Sequence, residues 1–437
     1  MISALLASFH WGLAKHFRGR DEARHLRHLL KSARMRPQND PKMRRSVDAL
    51  VKAKRFDDAL ALCKVFETRD VSQYWSTYRS FVEEASASPV TAGSPRIALF
   101  NDTDFRVNIG CRLTSQGLKH AILRTFPGAG ITSLGFRFST FHEEFGSSIA
   151  SDPTDAALHA RLLHAYGGQA LEAIATADMV VLQPEGSLDE KTSLEGLATF
   201  FAPVLVARRL GKPCAIVNGT IPGYGDERDA YLARLFTSLR FVAARDEISA
   251  AHHGVTFLPD AAFLRIEPED VADRDGCLIT TGARNKVDDD VAIFRSALAA
   301  CEALGLRPVV LTRAAGRFAE FEAQVLAQGG IFAEAASIEA AAAILSRCRL
   351  HIGGRYHMAI FSTMCRVPTL LYDVKTHKNQ WLAQYSPLVR LVRPGADIPA
   401  LAAEALSGPV SWTRPTIDYE GFLRAAYAAA HADSRAG

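Results

Sequence analysis

The spacing of apolar positions changes near residue 96, which divides the chain into two unlike parts. Before this point, apolar side chains recur at the three- to four-residue spacing of a helix, as at Leu5, Phe9, Leu13 and Phe17. The pattern of residues 49–60 is typical of a helical hairpin of the tetratricopeptide type, that is, a helix, a short turn and a second helix. A plain helical bundle or arm is the simpler alternative. We predict a helical N-terminal region at residues 1–88 and a linker rich in Ala, Ser, Gly and Pro at residues 85–95.

Short apolar runs alternate with amphipathic stretches from residue 96 onward. The runs typical of strands lie first at residues 97–100, 179–182, 214–217 and 241–243. Helical spacing fills the intervals, at residues 115–125, 155–175, 194–209 and 226–239. This alternation is typical of a parallel sheet covered on both faces, and it predicts a first Rossmann-like lobe at residues 96–265.

The same alternation of strand-like and helical segments begins again after residue 273. Strands are predicted at residues 277–281, 308–311, 350–352 and 369–372, and helices at residues 289–304, 318–327 and 338–346. This predicts a second Rossmann-like lobe at residues 273–437, including a C-terminal helix near residues 419–432 that can return to the first lobe. The predicted fold class is α/β, with two doubly wound lobes that face each other across a ligand-binding cleft.

The composition fits this architecture, with 48% hydrophobic and 22% charged residues in a chain of 437. No run of eighteen apolar residues occurs, and the first twenty residues lack the charged start and apolar block of a secretory signal. Seven cysteines are scattered singly, without metal-ligand spacing, at Cys63, Cys111, Cys214, Cys277, Cys301, Cys348 and Cys365. We therefore expect a reducing, cytoplasmic location and no metal.

The charge is unevenly distributed along the chain. Of the net charge of +4, residues 1–88 carry +7, and the remainder therefore carries −3. This confinement of the basic character argues against a nucleic-acid partner. Residues 1–45 contain 11 basic and 3 acidic residues, and with their apolar stripe they fit the surface of an anionic membrane. The simpler alternative is a solvated helix face with the stripe in a core.

The most informative segment is residues 350–361, where an apolar strand runs into Gly353 and Gly354 and a helix begins near Arg355. Free backbone N–H groups at a helix start favour an anion, and Arg355 can add a bidentate clamp on a carboxylate or phosphate. His357 is placed to donate or accept a proton. The alternative is that Arg355 and His357 merely cap and pack the helix.

Other polar residues also follow predicted strands. Arg245 follows residues 241–243, and Arg284 follows residues 277–281; the alternatives are a structural ion pair and a solvated loop. Two glycine loops, residues 108–110 and 185–187, match neither dinucleotide nor P-loop fingerprints and fit plain turns equally well. No zinc-protease, nucleophile-elbow or calcium-loop motif occurs, and adjacent His252 and His253 do not share a helix face.

Together these motifs resemble the polysaccharide pyruvyl transferase family. The resemblance spans about residues 96–395 and rests on residues 350–361, the strand at residues 368–372 with Lys375, and the segments at residues 108–110, 185–187, 245–247 and 259–263. It implies a GT-B-like architecture and transfer from phosphoenolpyruvate to sugar hydroxyls, with ketal formation, phosphate release and no cofactor. The sequence departs from the family pattern at Cys111 and Arg112, at Tyr356, and in its additional N-terminal region.

The resemblance also implies roles for individual residues. Phosphoenolpyruvate carries nearly three negative charges, which calls for several cations. The implied substrate-binding residues are Arg245, Arg284, Lys375, Asn108, Gly110, Gly186, Ser187, Gly354 and Tyr356. The implied catalytic residues are His357 as general acid, Arg355 as clamp and Glu185, or else Asp260, as the base. The expected acceptor is a bacterial-type cell-surface polysaccharide or its lipid-linked precursor, reached from the inner face of the cell membrane.

Two other functions fit the same sequence. A GT-B glycosyltransferase of polysaccharide synthesis has the same two lobes but binds a nucleotide sugar. A non-catalytic scaffold of a polysaccharide assembly complex binds its partners even when Arg355 and His357 are replaced, and it shows no turnover.

Overall fold

The protein is described by a computed structural model that covers residues 93–104, 109–136, 155–265, 274–282, 287–311, 319–333, 338–373, 376–408 and 412–433. The predicted helical region at residues 1–88, with its basic residues 1–45, lies outside the described residues. So do three predicted substrate-binding residues, which are Asn108, Arg284 and Lys375.

The first lobe contains a six-stranded parallel sheet. Its strands are β1 (Arg96–Phe100), β2 (Gly130–Leu134), β3 (Met179–Leu182), β4 (Cys214–Gly219), β5 (Val242–Ala244) and β6 (Thr256–Phe257). Its helices are α1 (Ile109–Thr125), α2 (Asp155–Tyr166), α3 (Ala170–Thr176), α4 (Leu194–Phe200), α5 (Ala202–Arg209), α6 (Glu227–Ser238) and α7 (Glu247–His253), followed by a 3-10 turn, Ala261–Leu264. The strand order is β2-β1-β3-β4-β5-β6.

The second lobe contains another six-stranded parallel sheet. Its strands are β7 (Gly276–Thr280), β8 (Arg307–Leu311), β9 (Ile331–Ala333), β10 (Cys348–Gly353), β11 (Thr369–Tyr372) and β12 (Val389–Val392). Its helices are α8 (Val287–Leu304), α9 (Ala319–Ala327), α10 (Ile338–Leu345), α11 (Tyr356–Met364), α12 (Lys378–Tyr385) and α13 (Ile398–Ser407). The strand order, β12-β11-β10-β7-β8-β9, is that of a Rossmann sheet.

The predicted fold class is confirmed for the part of the chain that the structure describes. All eight predicted strands occur, but β2, β6, β9 and β12 were missed. Each missed strand is an edge of its sheet. An edge strand is covered incompletely, so it need not carry the continuous apolar run that marks a buried strand; β2 and β12 are buried only at their ends.

The two lobes are joined by packing as well as by the chain. The last helix, α14 (Tyr419–Asp433), returns to the first lobe, where Tyr419 and Leu423 pack in one apolar cluster with Leu118 of α1. On the cleft side, Leu113 of α1 shares a second cluster with Phe361 of α11. Helices α1 and α11 thus meet at the boundary, and their N-terminal ends lie at the cleft.

In both sheets the strand order reverses at one point, which locates the ligand crevice. The reversal lies between β1 and β3 in the first sheet and between β7 and β10 in the second. In open parallel sheets, ligands bind beyond the carboxyl ends of the strands at such switch points. The loops after β3 and β10 contain Glu185, Gly186, Gly354 and Arg355, so the topology brings these predicted residues to the crevices.

Candidate active site

His357 occupies the first turn of α11 and reaches across to the first lobe. Its Nε2 lies 3.0 Å from Arg245 Nη1 and 3.2 Å from Asp260 Oδ2. Its Nδ1 faces Glu185 Oε1 at 3.8 Å. The Nε2 edge is therefore held by a charged pair, whereas the Nδ1 edge lies beside the carboxylate of the predicted base.

Arg245 and Asp260 form a fully buried ion pair beneath this histidine. The Nη1–Oδ2 distance is 2.7 Å, and Asp260 Oδ1 accepts hydrogen bonds from the Thr114 hydroxyl at 2.7 Å and the Ala262 amide at 2.8 Å. Burial opposes ionisation of Asp260, but the charges of Arg245 and His357 outweigh it and hold the pKa of this carboxyl well below its usual range. Asp260 is thus an anion that orients His357, a role that the sequence did not suggest when it offered Asp260 as an alternative base.

Arg245 has one nitrogen left over. Its Nε donates to the Thr220 hydroxyl at 3.0 Å, and the guanidinium lies over the Tyr356 ring, 4.7 Å from the centroid. The Nη2 atom is buried and has no hydrogen-bond partner among the described residues. Because an unmade bond to a buried cation is costly, this atom is suited to an anionic ligand.

Three residues at or near the strand ends of the first lobe have left-handed backbone. Asn101 after β1, Glu185 after β3 and Asn218 within β4 have φ values of 56°, 51° and 63°. Asparagine tolerates this conformation, but glutamate rarely adopts it, and such strain is concentrated at functional sites. The conformation turns the chain at Glu185 so that its carboxylate faces His357.

Buried amides hold these strand ends in place. Asn101 donates to the Gln183 carbonyl at 2.7 Å and to the Ser187 hydroxyl at 3.0 Å. Asn218 donates to Gln183 Oε1 at 3.0 Å and to the Thr114 hydroxyl at 2.8 Å. The hydroxyl of Ser187, a predicted substrate-binding residue, is therefore engaged within the first lobe, where it fixes the loop that carries Glu185.

In the second lobe, Arg355 lies at the N-cap of α11. Its Nε donates to the Thr281 hydroxyl at 3.0 Å, and the preceding Gly354 amide donates to the Thr281 carbonyl at 3.3 Å. The loop is further tied by Asn379, whose amide donates to the Gly354 carbonyl at 3.4 Å and to the Tyr372 carbonyl at 2.8 Å. Arg355 is thus held at the switch point between β7 and β10, directly before α11, where the sequence predicts the helix start.

Lys378, at the start of α12, is a cation that the sequence did not single out. Its Nζ lies 5.9 Å from the centroid of the Tyr356 ring. Burial, followed by the charge of Arg245, lowers the pKa of Lys378 to about 8. Burial raises the pKa of Tyr356 well above its ordinary value, so its ring stays neutral between the two cations.

Gly110 and Gly186 allow close approaches between the two lobes at the cleft. A Cβ on Gly110 would lie 2.6 Å from the Cβ of His357, so helix α1 packs directly against the histidine. A Cβ on Gly186 would lie 3.2 Å from Lys378 Nζ and 3.4 Å from Arg245 Nη2. Both glycines therefore lie at the predicted site, and each leaves space that any other residue would fill.

A second interlobe contact lies beside this cluster. His377 Nε2 donates to Asp246 Oδ1 at 2.8 Å, and the Ser249 hydroxyl donates to Asp246 Oδ2 at 3.0 Å. Asp246 caps α7, and the charge and hydrogen bond of His377 outweigh burial and lower the pKa of this carboxyl. The pair ties the loop before α12, and with it Lys378, to the first lobe.

Away from the cleft, Asp229, His252 and His253 offer potential metal-ligand atoms within 4.8 Å of one another. His252 Nε2 already bonds Asp229 at 3.2 Å, and His253 Nε2 bonds the Pro222 carbonyl at 3.1 Å. These contacts explain the cluster as a local structural link between α6 and α7. Among the described helices, none combines the length and the apolar character needed to cross a membrane.

Sequence comparison decides the family. Residues 108–376 match the profile described as polysaccharide pyruvyl transferase. The chain belongs to this family. The matched region includes the strand-end residues of both lobes, from Gly110 to His357, and it identifies the protein as a transferase enzyme. No curated protein sequence matches the chain significantly.

Solved structures with related architecture are distant in sequence. UDP-GlcNAc 2-epimerase from Methanocaldococcus jannaschii, in complex with UDP-GlcNAc and UDP, is 14% identical, with 77% of this chain and 99% of that chain covered and a TM-score of 0.49. UDP-GlcNAc 2-epimerase from Neisseria meningitidis, bound to UDP-GlcNAc, is 10% identical, with 76% of this chain and 99% of that chain covered and a TM-score of 0.49. A mutant O-GlcNAc transferase from Thermobaculum terrenum is 9% identical, with 98% of this chain and 94% of that chain covered and a TM-score of 0.41. Similarities at this level carry no information about the ligand or the activity of this chain.

Proposed function

We propose that the protein transfers a pyruvyl group from phosphoenolpyruvate to sugar hydroxyls, forming a pyruvate ketal and releasing phosphate. The observation that carries this proposal is the buried Arg245, whose Nη2 lacks a hydrogen-bond partner among the described residues. A second arginine, Arg355, lies at the facing switch point. Membership of the pyruvyl transferase family makes a compact donor with two anionic groups the ligand that best fits these cations.

Donor binding divides between the lobes in this proposal. Arg245 comes from the first lobe, whereas Arg355 and Lys378 come from the second. An anion that touches cations of both lobes offsets the repulsion between them and favours the closed cleft. Arg284 and Lys375, which lie outside the described residues, remain predicted donor-binding residues.

The chemistry needs a proton donor and a proton acceptor. One sugar hydroxyl adds to C2 of phosphoenolpyruvate while a proton reaches C3, which becomes a methyl group. The second hydroxyl then displaces phosphate from C2, and its proton leaves with the phosphate or a base. His357 is the proposed proton donor to C3, through its Nδ1 edge, and Glu185 is the proposed acceptor from the hydroxyl, since the two face each other at 3.8 Å.

The tautomer of His357 follows from its neighbours. Arginine can only donate, so a neutral His357 accepts from Arg245 at Nε2 and carries its proton on Nδ1. When the ring is protonated, its Nε2–H donates to Asp260 instead. Asp260 therefore stabilises the imidazolium, and the proton that enters the cleft is the one on Nδ1.

The acceptor and location belong to the same proposal. The acceptor is a bacterial-type cell-surface polysaccharide or its lipid-linked precursor. The excess of basic residues in residues 1–45 suits attachment to the cytoplasmic face of an anionic membrane, where such a precursor is found. The enzyme itself is proposed to be cytoplasmic and peripheral.

Isothermal titration with phosphoenolpyruvate and with nucleotide sugars, followed by a phosphate-release assay with glycan acceptors, tests the proposal. We expect phosphoenolpyruvate to bind to the wild-type protein. Arg355→Ala should lower the affinity for phosphoenolpyruvate about 10- to 100-fold, because charge-assisted hydrogen bonds are lost. Arg349→Ala, an exposed arginine on β10, is the matched control. Binding of a nucleotide sugar alone would instead support the glycosyltransferase, and absence of turnover with any donor and acceptor would support the scaffold.

A further inference from the structure

Two cationic nitrogens from different lobes converge on the backbone of Gly186. Lys378 Nζ and Arg245 Nη2 lie 3.2 Å and 3.4 Å from the point that a Cβ on Gly186 would occupy. The nitrogens are therefore near neighbours over a residue without a side chain, and they share one small space at the end of β3.

Neither nitrogen forms an ion pair at this point, although the nearby Glu185 carboxylate favours the charged form of both Arg245 and Lys378. The Arg245–Asp260 ion pair uses Nη1, and Nη2 has no hydrogen-bond partner among the described residues. No carboxylate of the described residues lies within ion-pair distance of Lys378. Like charges held together in a partly buried site are unfavourable unless an anion lies between them.

We propose that Lys378 and Arg245 together hold the phosphate group of the donor over Gly186, with Lys378 as a phosphate-binding residue of this enzyme. The assignment rests on the proposed use of phosphoenolpyruvate. The lysine ammonium is a compact charge with three donors, which suits a tetrahedral phosphate, whereas the fork of Arg355 suits the planar carboxylate at the other end of the donor. The phosphate thus stays bound to Lys378 after its bond to C2 breaks.

The arrangement also predicts a pH dependence. Burial and the charges of Arg245 and Arg355 lower the pKa of Lys378 to about 8, against the opposite effects of Glu185 and Cys111. The amine is therefore charged below that pH and neutral above it in the ligand-free enzyme. Phosphate affinity should therefore fall as pH rises through about 8. An arginine at this position stays charged, so Lys378→Arg should flatten that fall.

The test measures binding of inorganic phosphate and of pyruvate, as separate probes of the two ends of the donor, to the full-length protein. Lys378→Met should weaken phosphate binding about 10- to 100-fold and leave pyruvate binding unchanged. Lys378→Arg should retain most of the phosphate affinity. Lys191→Met, which removes an exposed lysine of the first lobe, is the control and should change neither.

Gly186→Ala gives a second, independent variant. Its methyl group would enter the space that both nitrogens border, so phosphate affinity should fall while both charges remain. Circular dichroism and thermal unfolding of each variant establish that the fold is kept.

Unchanged phosphate affinity in Lys378→Met, or a loss confined to pyruvate, would overturn the assignment even if phosphoenolpyruvate supports turnover. Phosphate binding that depends on Lys378 while phosphoenolpyruvate gives no turnover would instead retain the phosphate site and refute the proposed donor.

Discussion

Two buried histidines, six positions apart in the chain, occupy contrasting environments. His351 on β10 bonds the Thr280 hydroxyl and the Ser362 hydroxyl, both at 2.9 Å and both in its own lobe. His357 on α11 contacts Asp260 and Arg245 of the other lobe, and its second nitrogen faces Glu185. The first ring is fully satisfied by neutral neighbours, whereas the second is held by charges and retains one edge for a ligand.

The contrast shows that burial does not by itself mark a functional histidine. Burial lowers the pKa of His351 to about 3, so this ring is neutral at any physiological pH and cannot exchange a proton. At His357, the neighbouring groups are the carboxylate of Asp260 and the guanidinium of Arg245. What separates the two is the charge of their partners and the lobe from which those partners come.

The largest expected effect is on catalysis. His357→Asn should lower the rate of phosphate release about 10²- to 10⁴-fold, because the proton donor is lost while Asp260 stays paired with Arg245. His351→Gln, the control at the other histidine, should keep nearly the full rate per folded molecule. Equal losses in the two variants would remove the functional distinction between the histidines.

Asp260→Ala tests the ion pair that holds His357. The substitution leaves Arg245 buried without its counterion, which should cost about 3–5 kcal/mol of unfolding free energy. Urea unfolding measures the loss. Asp178→Ala removes the partner of Arg96 at a half-exposed pair and should cost no more than about 1 kcal/mol. A cost as small as this at Asp260 would show that the pair is not essential to the fold.

The smallest expected effect is the pH dependence that His351 confers on stability. Its folded pKa lies below its unfolded value of about 6.5, so the unfolded state binds more protons and stability falls as the pH falls below 6.5. Between pH 7 and pH 4.5 this should amount to about 2–3 kcal/mol. Urea unfolding at both pH values should show this component in the wild type and its loss in His351→Gln. An unchanged difference in the variant would assign the dependence to other groups.

Much of the fold could be predicted because buried strands carry continuous apolar runs. The four missed strands are the sheet edges, where partial exposure removes that signal. The helix predicted at residues 194–209 breaks at Phe201, before Pro203, into α4 and α5. A proline at the start of a helix was a signal for this break that the periodicity alone did not reveal.

Part of the site could also be predicted, because residues that follow strands in parallel sheets meet at one edge. Arg245, Glu185, Arg355 and His357 were singled out for this reason. The position of Lys378 was not, since a cation three residues beyond Lys375 has no distinguishing pattern in the sequence. Nor could the sequence show that Asn218 and Gln183 bond each other, because only the folded sheet brings β3 and β4 side by side.

The absence of a side chain at Gly110 sets the separation of the lobes. The first turn of α1 approaches the stem of His357 so closely that even a methyl group would need the 2.6 Å gap to widen. Glycine at position 110 therefore allows the two lobes of the enzyme to approach each other as closely as their backbones permit. Alanine, valine and leucine at this position would push the lobes apart by increasing amounts and keep the Nδ1 of His357 progressively farther from Glu185. The rate of the reaction in such a series would then report how far the cleft is held open.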